Sequence, residues 1–231
     1  MKKIMWAISF ISLIGTVIVL QFMPDRIPMH YDMAGNIDRW GSKYESLIFP
    51  ILILAISLLW TFMIKYYEKK EQKATDEKQR AHAKTNAKVI KIVGVSMAAM
   101  FTIVQGFIMY GSYHEAISNA EKQTIDISKV AIILMGIIFI VLGNFMTKIR
   151  ANGAVGFRVS WSMYNENTWR KSNRFAATMI MIVGGLTIIT AAVMRNSFGA
   201  MMIMLGYLFI SIIVASIYAH KVYKKEIAEG R

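Results

Sequence analysis

Three titratable side chains in the first polar loop of this sequence could together bind a metal ion. His30, Asp32 and Asp38 lie close together in the chain, and His114 from the second polar loop could complete the set. Imidazole and carboxylate groups are ligands for hard or borderline divalent cations. A metal-dependent membrane enzyme or a small-solute transporter that uses these residues is therefore one candidate function.

A structural role for the same side chains is the interpretation that we favour. Asp32 and Asn36 can cap a turn, because Asx side chains accept hydrogen bonds from nearby backbone amides. Asp38 would then pair with a neighbouring cation, Arg39 or Lys43, and the imidazole would hydrogen-bond within the loop. We therefore predict no resident metal and no cofactor.

A second polar stretch, residues 156–175, combines basic and aromatic side chains with a single acid, Glu166. Its members are the basic Arg158, Arg170, Lys171 and Arg174 and the aromatic Trp161, Tyr164 and Trp169. Aromatic rings at headgroup depth and cations near anionic lipid are typical of a segment that lies on a membrane surface. Docking of a protein partner is an equally good interpretation, and the two roles can coexist.

A helix should begin inside this stretch at about Asn165, whose side chain can cap free backbone amides. At helical spacing Trp169 and Asn173 share one face, with the basic residues on the next. Glu166 precedes Arg170 by four positions, which is the favourable order for an ion pair.

Motifs for catalysis are missing from the sequence. It contains no His-Glu-x-x-His, no Gly-x-Ser-x-Gly, no Walker-type phosphate loop and no cysteine. The fourteen acidic residues all fall outside the apolar blocks, whereas ion-coupled transporters exchange cations at ionisable groups within the hydrocarbon. We predict that the protein is not an enzyme.

Six apolar helices must position these polar stretches. Each uncharged block is long enough to cross about 30 Å of hydrocarbon. The predicted spans are residues 4–22, 47–64, 89–110, 130–146, 176–194 and 198–218. The fold class is an all-α polytopic membrane protein. The first block follows Lys2 and Lys3 without a small-x-small cleavage pattern, which indicates an uncleaved signal anchor.

The connections between the spans divide the chain into regions. Alternation over residues 27–40 and the turn pair Gly35-Asn36 predict a small hairpin that leans on helix ends or on another loop. Residues 65–88 read as a charged helix that is more typical of a solvated surface than of a docking site. The regions are residues 1–64 with the hairpin loop at 23–46, the connector at 65–88, and a four-helix region at 89–231 with a polar loop at 147–175.

The distribution of basic residues predicts the topology. With the amino terminus inside, the inner segments hold 20 Lys or Arg and the three outer loops hold 6. Basic residues in short loops stay in the cytoplasm, so both termini should be cytoplasmic, the hairpin outside and the 147–175 loop inside. The net charge of +13 then reports topology, and direct binding of nucleic acid is not predicted.

Two pairs of glycines lie seven residues apart, Gly136 with Gly143 and Gly199 with Gly206. This spacing puts each pair on one helix face, where neighbouring backbones can approach closely. We predict helix packing at both faces.

Two passages resemble a known family. The first, Pro24-x2-Ile27-Pro28-x-His30-x4-Gly35-x2-Asp38-x4-Lys43, resembles a domain found at the start of many bacterial membrane proteins. The second, Gly143-Asn144-x11-Gly156-Phe157-Arg158-x2-Trp161-Ser162-x3-Glu166-x2-Trp169-x3-Asn173-Arg174-Phe175, is similar to the signature of SdpI-like immunity proteins. Val159 and Ser160 stand where the family pattern has Thr-Pro, so the proline kink before Trp161 is missing.

The resemblance implies an immunity protein in the bacterial plasma membrane. It would recognise a secreted peptide toxin from outside through Pro28, His30, Gly35, Asp38 and Lys43. It would dock a cytoplasmic transcriptional repressor through Arg158, Trp161, Glu166, Trp169, Asn173 and Arg174. Membrane lipid is the other expected partner. A scaffold that works through the 65–88 helix is a further alternative.

Overall fold

Long apolar blocks give long helices in the computed structural model, which describes residues 1–151 and 156–230 and is 76% helical. Six helices in these residues are long and apolar enough to cross a membrane. They are α1 (Lys2–Leu20), α2 (Ile48–Gln72), α3 (Glu77–Ser118), α4 (Ile127–Met146), α5 (Glu166–Val193) and α6 (Ser197–Ala228). The predicted all-α fold with six spans is confirmed.

The remaining regular elements lie between α1 and α2. Strands β1 (Arg26–Tyr31) and β2 (Ile37–Ser42) form a two-stranded antiparallel sheet, and a short 3-10 helix (Lys43–Leu47) leads into α2. The predicted hairpin is therefore present.

The third helix is longer than the sequence indicated. Residues 111–118 were predicted to be loop, but α3 continues to Ser118 and ends where Asn119 adopts a positive φ of 47°. The amide of Ala120 donates to the carbonyl of Glu115, which is the hydrogen bond of a left-handed helix cap. His114 therefore lies on a helix and not in a loop.

The charged connector is helical at both ends and interrupted in the middle. α2 ends at Gln72 and α3 begins at Glu77, with Asp76 at the start of the new helix. The Asp76 carboxylate accepts from the amide of Gln79 at 2.7 Å, so a capped turn joins two helices over residues 73–76.

The chain forms two compact units, residues 1–62 with 94–131, and residues 63–93 with 132 onwards. In the first unit, α1 turns its polar stripe inwards. Ser9, Ser12 and Thr16 are buried, and the Ser9 hydroxyl lies 2.7 Å from that of Ser57. The buried Gln105 amide donates to the Thr16 hydroxyl. Such pairs satisfy polar groups that lipid cannot.

In the second unit, glycines bring α4 and α5 into backbone contact. A Cβ at Gly136 would lie 2.8 Å from the carbonyl oxygen of Gly184, and a Cβ at Gly143 would lie 2.7 Å from that of Ala177. The predicted packing face of α4 is confirmed. A Cβ at Gly206 would meet nothing within 4 Å, so the second predicted face does not pack in this way.

Candidate functional site

The hairpin is anchored by its first strand. Ile27 is fully buried and packs with Leu20, Met23 and Met109. Pro28 is also buried, and its carbonyl oxygen accepts from the hydroxyl of Ser112 at 3.4 Å. Apolar burial thus holds a sheet of two strands, which would be only marginally stable alone.

The turn of the hairpin is built by Asp32 and Gly35. The Asp32 carboxylate accepts from the amides of Ala34 and Asn36 and from the Asn36 side chain, at 2.7 to 2.8 Å. The Asn36 side chain is the main cause that lowers the pKa of Asp32. Gly35 has a φ of 79°, a conformation that glycine adopts without strain. The predicted capping role of Asp32 is confirmed.

Residues 119–126, the loop between α3 and α4, dock on the turn. The amide of Ile37 donates to the carbonyl of Glu121, and the amide of Gln123 donates to the carbonyl of Gly35, at 2.9 and 2.8 Å. Asn36 and Lys122 form an antiparallel bridge. The hairpin therefore leans on another loop, as predicted.

A buried carboxylate, which the sequence analysis missed, ties these pieces to α3. Glu115 is 1% exposed, and it accepts from the Tyr31 hydroxyl at 2.6 Å and from the amide of Thr124. Burial, followed by the nearby Glu115, raises the pKa of Tyr31 well above its usual value. In the sequence, Glu115 is one of three acidic residues in a predicted loop, with Glu121 and Asp126, and nothing marked it as buried.

His30 and Asp38 pair on the accessible surface of the hairpin. The imidazole Nδ1 lies 2.6 Å from the carboxylate Oδ1, with 64% and 46% of the two side chains exposed. The prediction that Asp38 pairs with Arg39 or Lys43 is wrong, because antiparallel pairing places His30 beside Arg39 and carries the Asp38 side chain to the imidazole.

The two neighbouring cations have other partners. Arg39 binds the Glu45 carboxylate through both terminal guanidinium nitrogens at 3.1 Å. The Lys43 side chain is 13% exposed and lies 3.1 Å both from the Asp25 carboxylate and from the Met23 carbonyl. Lys43 thereby fastens the end of the hairpin to the segment that leaves α1.

The five hairpin residues that were predicted to recognise a toxin thus fall into two sets. Pro28, Gly35 and Lys43 build the hairpin, whereas the side chains of His30 and Asp38 are exposed. A Cβ at Gly35 would lie 2.7 Å from the Gln123 side-chain nitrogen, so this glycine also permits the docking of the second loop.

The structure does not gather the four metal candidates into one site. Both Asp32 oxygens accept hydrogen bonds of the turn. His114 packs against the rings of Tyr110 and Tyr113. Within residues 1–151 and 156–230, no three His, Asp or Glu side chains are grouped for a metal ion.

The second candidate site is the signature segment, residues 147–175, of which 152–155 lie outside the described residues. Its helix α5 begins as predicted. The Asn165 side chain accepts from the amide of Thr168, and the Thr168 hydroxyl accepts from the amide of Asn165, at 2.8 and 2.9 Å. This reciprocal cap fixes where the helix starts.

Trp169 and Asn173 hold the segment from inside. They are 2% and 1% exposed. The Trp169 indole donates to the carbonyl of Ile149 at 3.0 Å, and the Asn173 side-chain oxygen accepts from the amide of Phe157 at 2.8 Å. Gly156, with a φ of 114°, lets the backbone pass directly over both side chains. These two motif residues are structural supports.

Glu166 pairs across the unit and not along its own helix. Its carboxylate lies 2.8 Å from the ammonium group of Lys78 and 4.0 Å from the imidazole of His82. Lys78 is the main cause that lowers the pKa of Glu166. The predicted partner Arg170 instead donates to Asn167, so the expected ion pair along the helix is absent.

Three other residues predicted to dock a partner lie at the surface. Arg158 and Arg174 are exposed, and Trp161 is 37% exposed with its ring 4.5 Å from that of His220. Like Glu166, whose side chain is 57% exposed, these three side chains lie at the surface.

A second carboxylate missed by the sequence analysis joins α6 to the segment. Glu226, 1% exposed, accepts from the amide side chains of Asn165 and Asn167 and lies 3.2 Å from the Lys171 ammonium group. Burial alone would raise the pKa of Glu226, but Lys171 and the two amides hold it below its usual range. Glu226 lies in a charged tail after the last predicted span, and no pattern there indicated that its side chain is buried.

Comparison with known proteins matches both candidate sites. Residues 7–54 match a domain of unknown function, DUF1648, and residues 148–219 match the SdpI/YfhL protein family. The immunity protein SdpI of Bacillus subtilis (strain 168) is 22% identical over 228 residues, which cover 97% of this chain and 98% of that protein. No solved structure matches. The resemblance predicted from the two motifs is confirmed, and the chain is a multi-pass cell-membrane protein.

Proposed function

We propose, from the premise that this chain resembles the immunity protein SdpI over nearly its whole length, that it is a membrane immunity protein against a secreted peptide toxin. The observation that carries the proposal is the alignment, which spans 97% of one chain and 98% of the other. A shared module alone would align over part of the chain. The matches at residues 7–54 and 148–219 include both candidate sites.

The proposed sidedness puts the hairpin outside the cell and the signature segment inside. It rests on the 20 Lys or Arg of the inner segments against the 6 of the outer loops. Both termini are then cytoplasmic. A secreted toxin meets the hairpin first.

Toxin recognition is assigned to the exposed His30 and Asp38 pair. Their side chains offer an imidazole and a carboxylate on the hairpin, and Met33 at the turn of the same hairpin is 84% exposed. A polar pair beside an apolar side chain suits an amphiphilic peptide, because the polar groups give orientation and the apolar contact gives affinity. Pro28, Gly35 and Lys43 support this surface.

Signalling to a cytoplasmic repressor is assigned to Arg158, Trp161 and Arg174. Tryptophan and arginine are both enriched in the hot spots of protein interfaces. Toxin would act by preferring one conformation of the protein, because a ligand shifts an equilibrium only by its difference in affinity for the two states. This reading assigns no catalysis to the chain.

The test is a resistance assay in a sensitive strain that expresses the full chain. The challenge is the secreted sporulation-delaying peptide, followed by other secreted peptide toxins. We expect His30→Ala and Asp38→Ala to lower resistance while the membrane abundance of the protein stays at the parental level. Arg39→Gln, an exposed change on the same hairpin, is the matched control and should keep resistance.

The proposal fails if the parent confers no resistance to any secreted peptide, or if His30→Ala with Asp38→Ala resists as well as the parent. For the signalling step, Arg158→Ala with Trp161→Ala should keep resistance and lose toxin-dependent co-purification of a cytoplasmic protein.

A further inference from the structure

The second unit contains a cavity whose rim is almost entirely cationic. It has a volume of about 630 Å³ and lies among the ends of α3, α4 and α5 and the start of the signature segment. The charged side chains that line it are Lys84, Lys88, Lys148, Arg150, Arg170, Arg174 and the single acid Glu166. The volume is within the usual range of ligand pockets.

Most of this positive charge has no carboxylate partner among the described residues. Glu166 is already bound by Lys78, which lies outside the lining, at 2.8 Å. Among residues 1–151 and 156–230, five of the six cations, all except Arg150, form no ion pair with a carboxylate. Convergent cations without counter-charges attract an anion strongly.

The floor of the cavity is apolar. Val89, Ile149 and Trp169 form a buried cluster beneath the rim, and the bond from the Trp169 indole to the Ile149 carbonyl fixes the ring. An inorganic anion would use only the rim. A phospholipid would use both parts, with its phosphate at the cations and its glycerol and first methylene groups on the floor.

The cavity also lies at the right depth along the helices. Lys84 and Lys88 immediately precede the apolar stretch of α3, and α4 ends at Met146, just before Lys148. Arg170 and Arg174 precede the apolar part of α5. All three helices therefore present these cations where hydrocarbon gives way to headgroups, which is where basic pockets bind acidic lipid.

We propose that this cavity is a binding site for the phosphoryl headgroup of an anionic phospholipid. Lys88 and Arg174 hold the phosphate by charge-assisted hydrogen bonds, which are stronger than bonds between neutral groups. The site shares Arg174 with the surface proposed to dock a repressor, but its test measures lipid binding to the purified protein and has no resistance or repressor readout.

The experiment is native mass spectrometry of the purified, delipidated full chain, titrated with dioleoyl-phosphatidylglycerol or dioleoyl-phosphatidylcholine. We expect one phosphatidylglycerol to bind at least about 10-fold more tightly than phosphatidylcholine. Lys88→Gln with Arg174→Gln should weaken its binding about 10-fold or more, since two charge-assisted bonds are lost. Lys88→Arg with Arg174→Lys should retain the preference.

The matched control is Lys69→Gln with Lys70→Gln, which removes the same charge from exposed lysines outside the cavity. If the first variant is not monodisperse, Lys84→Gln with Lys148→Gln replaces it. Equal affinity for the two lipids, or an equal loss in the matched control, overturns the proposal. Binding of inorganic phosphate as tight as that of phosphatidylglycerol also overturns it, in favour of a soluble phosphate site.

Discussion

Tyr31→Phe removes one hydroxyl group and leaves the ring in place. That hydroxyl donates at 2.6 Å to the Glu115 carboxylate, whose other oxygen accepts from the amide of Thr124. The substitution therefore leaves a buried carboxylate with one partner fewer. It tests whether this bond holds the hairpin and the 119–126 loop onto α3.

The magnitude follows from the charge and burial of the acceptor. Glu115 is 1% exposed, and a hydrogen bond to a charged group contributes about 1.5–3 kcal/mol. At about 1.4 kcal/mol per tenfold change, Tyr31→Phe should raise the opening equilibrium of the hairpin by about 10- to 100-fold. In a Glu115→Gln background the same substitution should cost only about 1 kcal/mol, because the bond is then neutral.

Hydrogen–deuterium exchange of peptides covering residues 31–38 and 119–126 measures this opening. The amides of Ile37 and Gln123 are bonded across the two segments, so they report local opening directly. Tyr44→Phe is the matched control, because Tyr44 lies on the same unit and is 62% exposed. It should leave exchange unchanged.

The pH dependence gives an independent check. The pKa of Tyr31 is raised in the folded protein, so the neutral hydroxyl is favoured by folding. Its contribution is fully present below about pH 10, the pKa of an unfolded tyrosine, and is lost as the pH rises further. Exchange within about twofold of the parent for Tyr31→Phe, or no loss of parental protection above pH 10, would refute the reasoning.

Two further predictions test the packing and the topology. Gly184→Ala should lower the unfolding temperature measurably in detergent, because its Cβ would lie 2.5 Å from the Gly136 carbonyl oxygen. Overpacking of this kind costs about 1–3 kcal/mol. A Cβ at the adjacent Gly185 would meet nothing within 4 Å, so Gly185→Ala is the control and should leave the unfolding temperature unchanged. Since the chain has no cysteine, single cysteines report sidedness: an impermeant maleimide should label Met33→Cys in intact cells and Ser160→Cys only after permeabilisation. The reverse labelling pattern would contradict the proposed topology.

Local patterns in the sequence determined the main elements. The six spans follow from apolar blocks of membrane length, and the hairpin follows from alternation around Gly35-Asn36. The helix cap at Asn165 also follows from local chemistry, because the Asn165 side chain binds the backbone amide three residues later in the chain. All of these depend on contacts close in the chain, which periodicity and turn chemistry report well.

The predictions of where α3 ends and of the ion-pair partners were wrong, because these features depend on contacts between residues that are not local in the chain. Residues 111–118 are polar enough to be a loop, but the burial of Glu115 beneath Tyr31 holds them in a helix. Asp38 had two cations close in sequence, yet strand pairing brought His30 to it. Proximity along the chain could not decide between partners that only the register of the strands selects.

The sequence by itself therefore determined the class of the protein, its spans and the residues of its two motifs. Only the tertiary structure decided what those residues do. Pro28, Gly35, Trp169 and Asn173 are supports, whereas His30, Asp38 and Trp161 are accessible. The tertiary structure also decided the contacts of Glu226 and the lining of the cationic cavity, because both bring together segments that are far apart in the chain. The burial and neighbours of a side chain are set by such distant contacts, which no local pattern encodes.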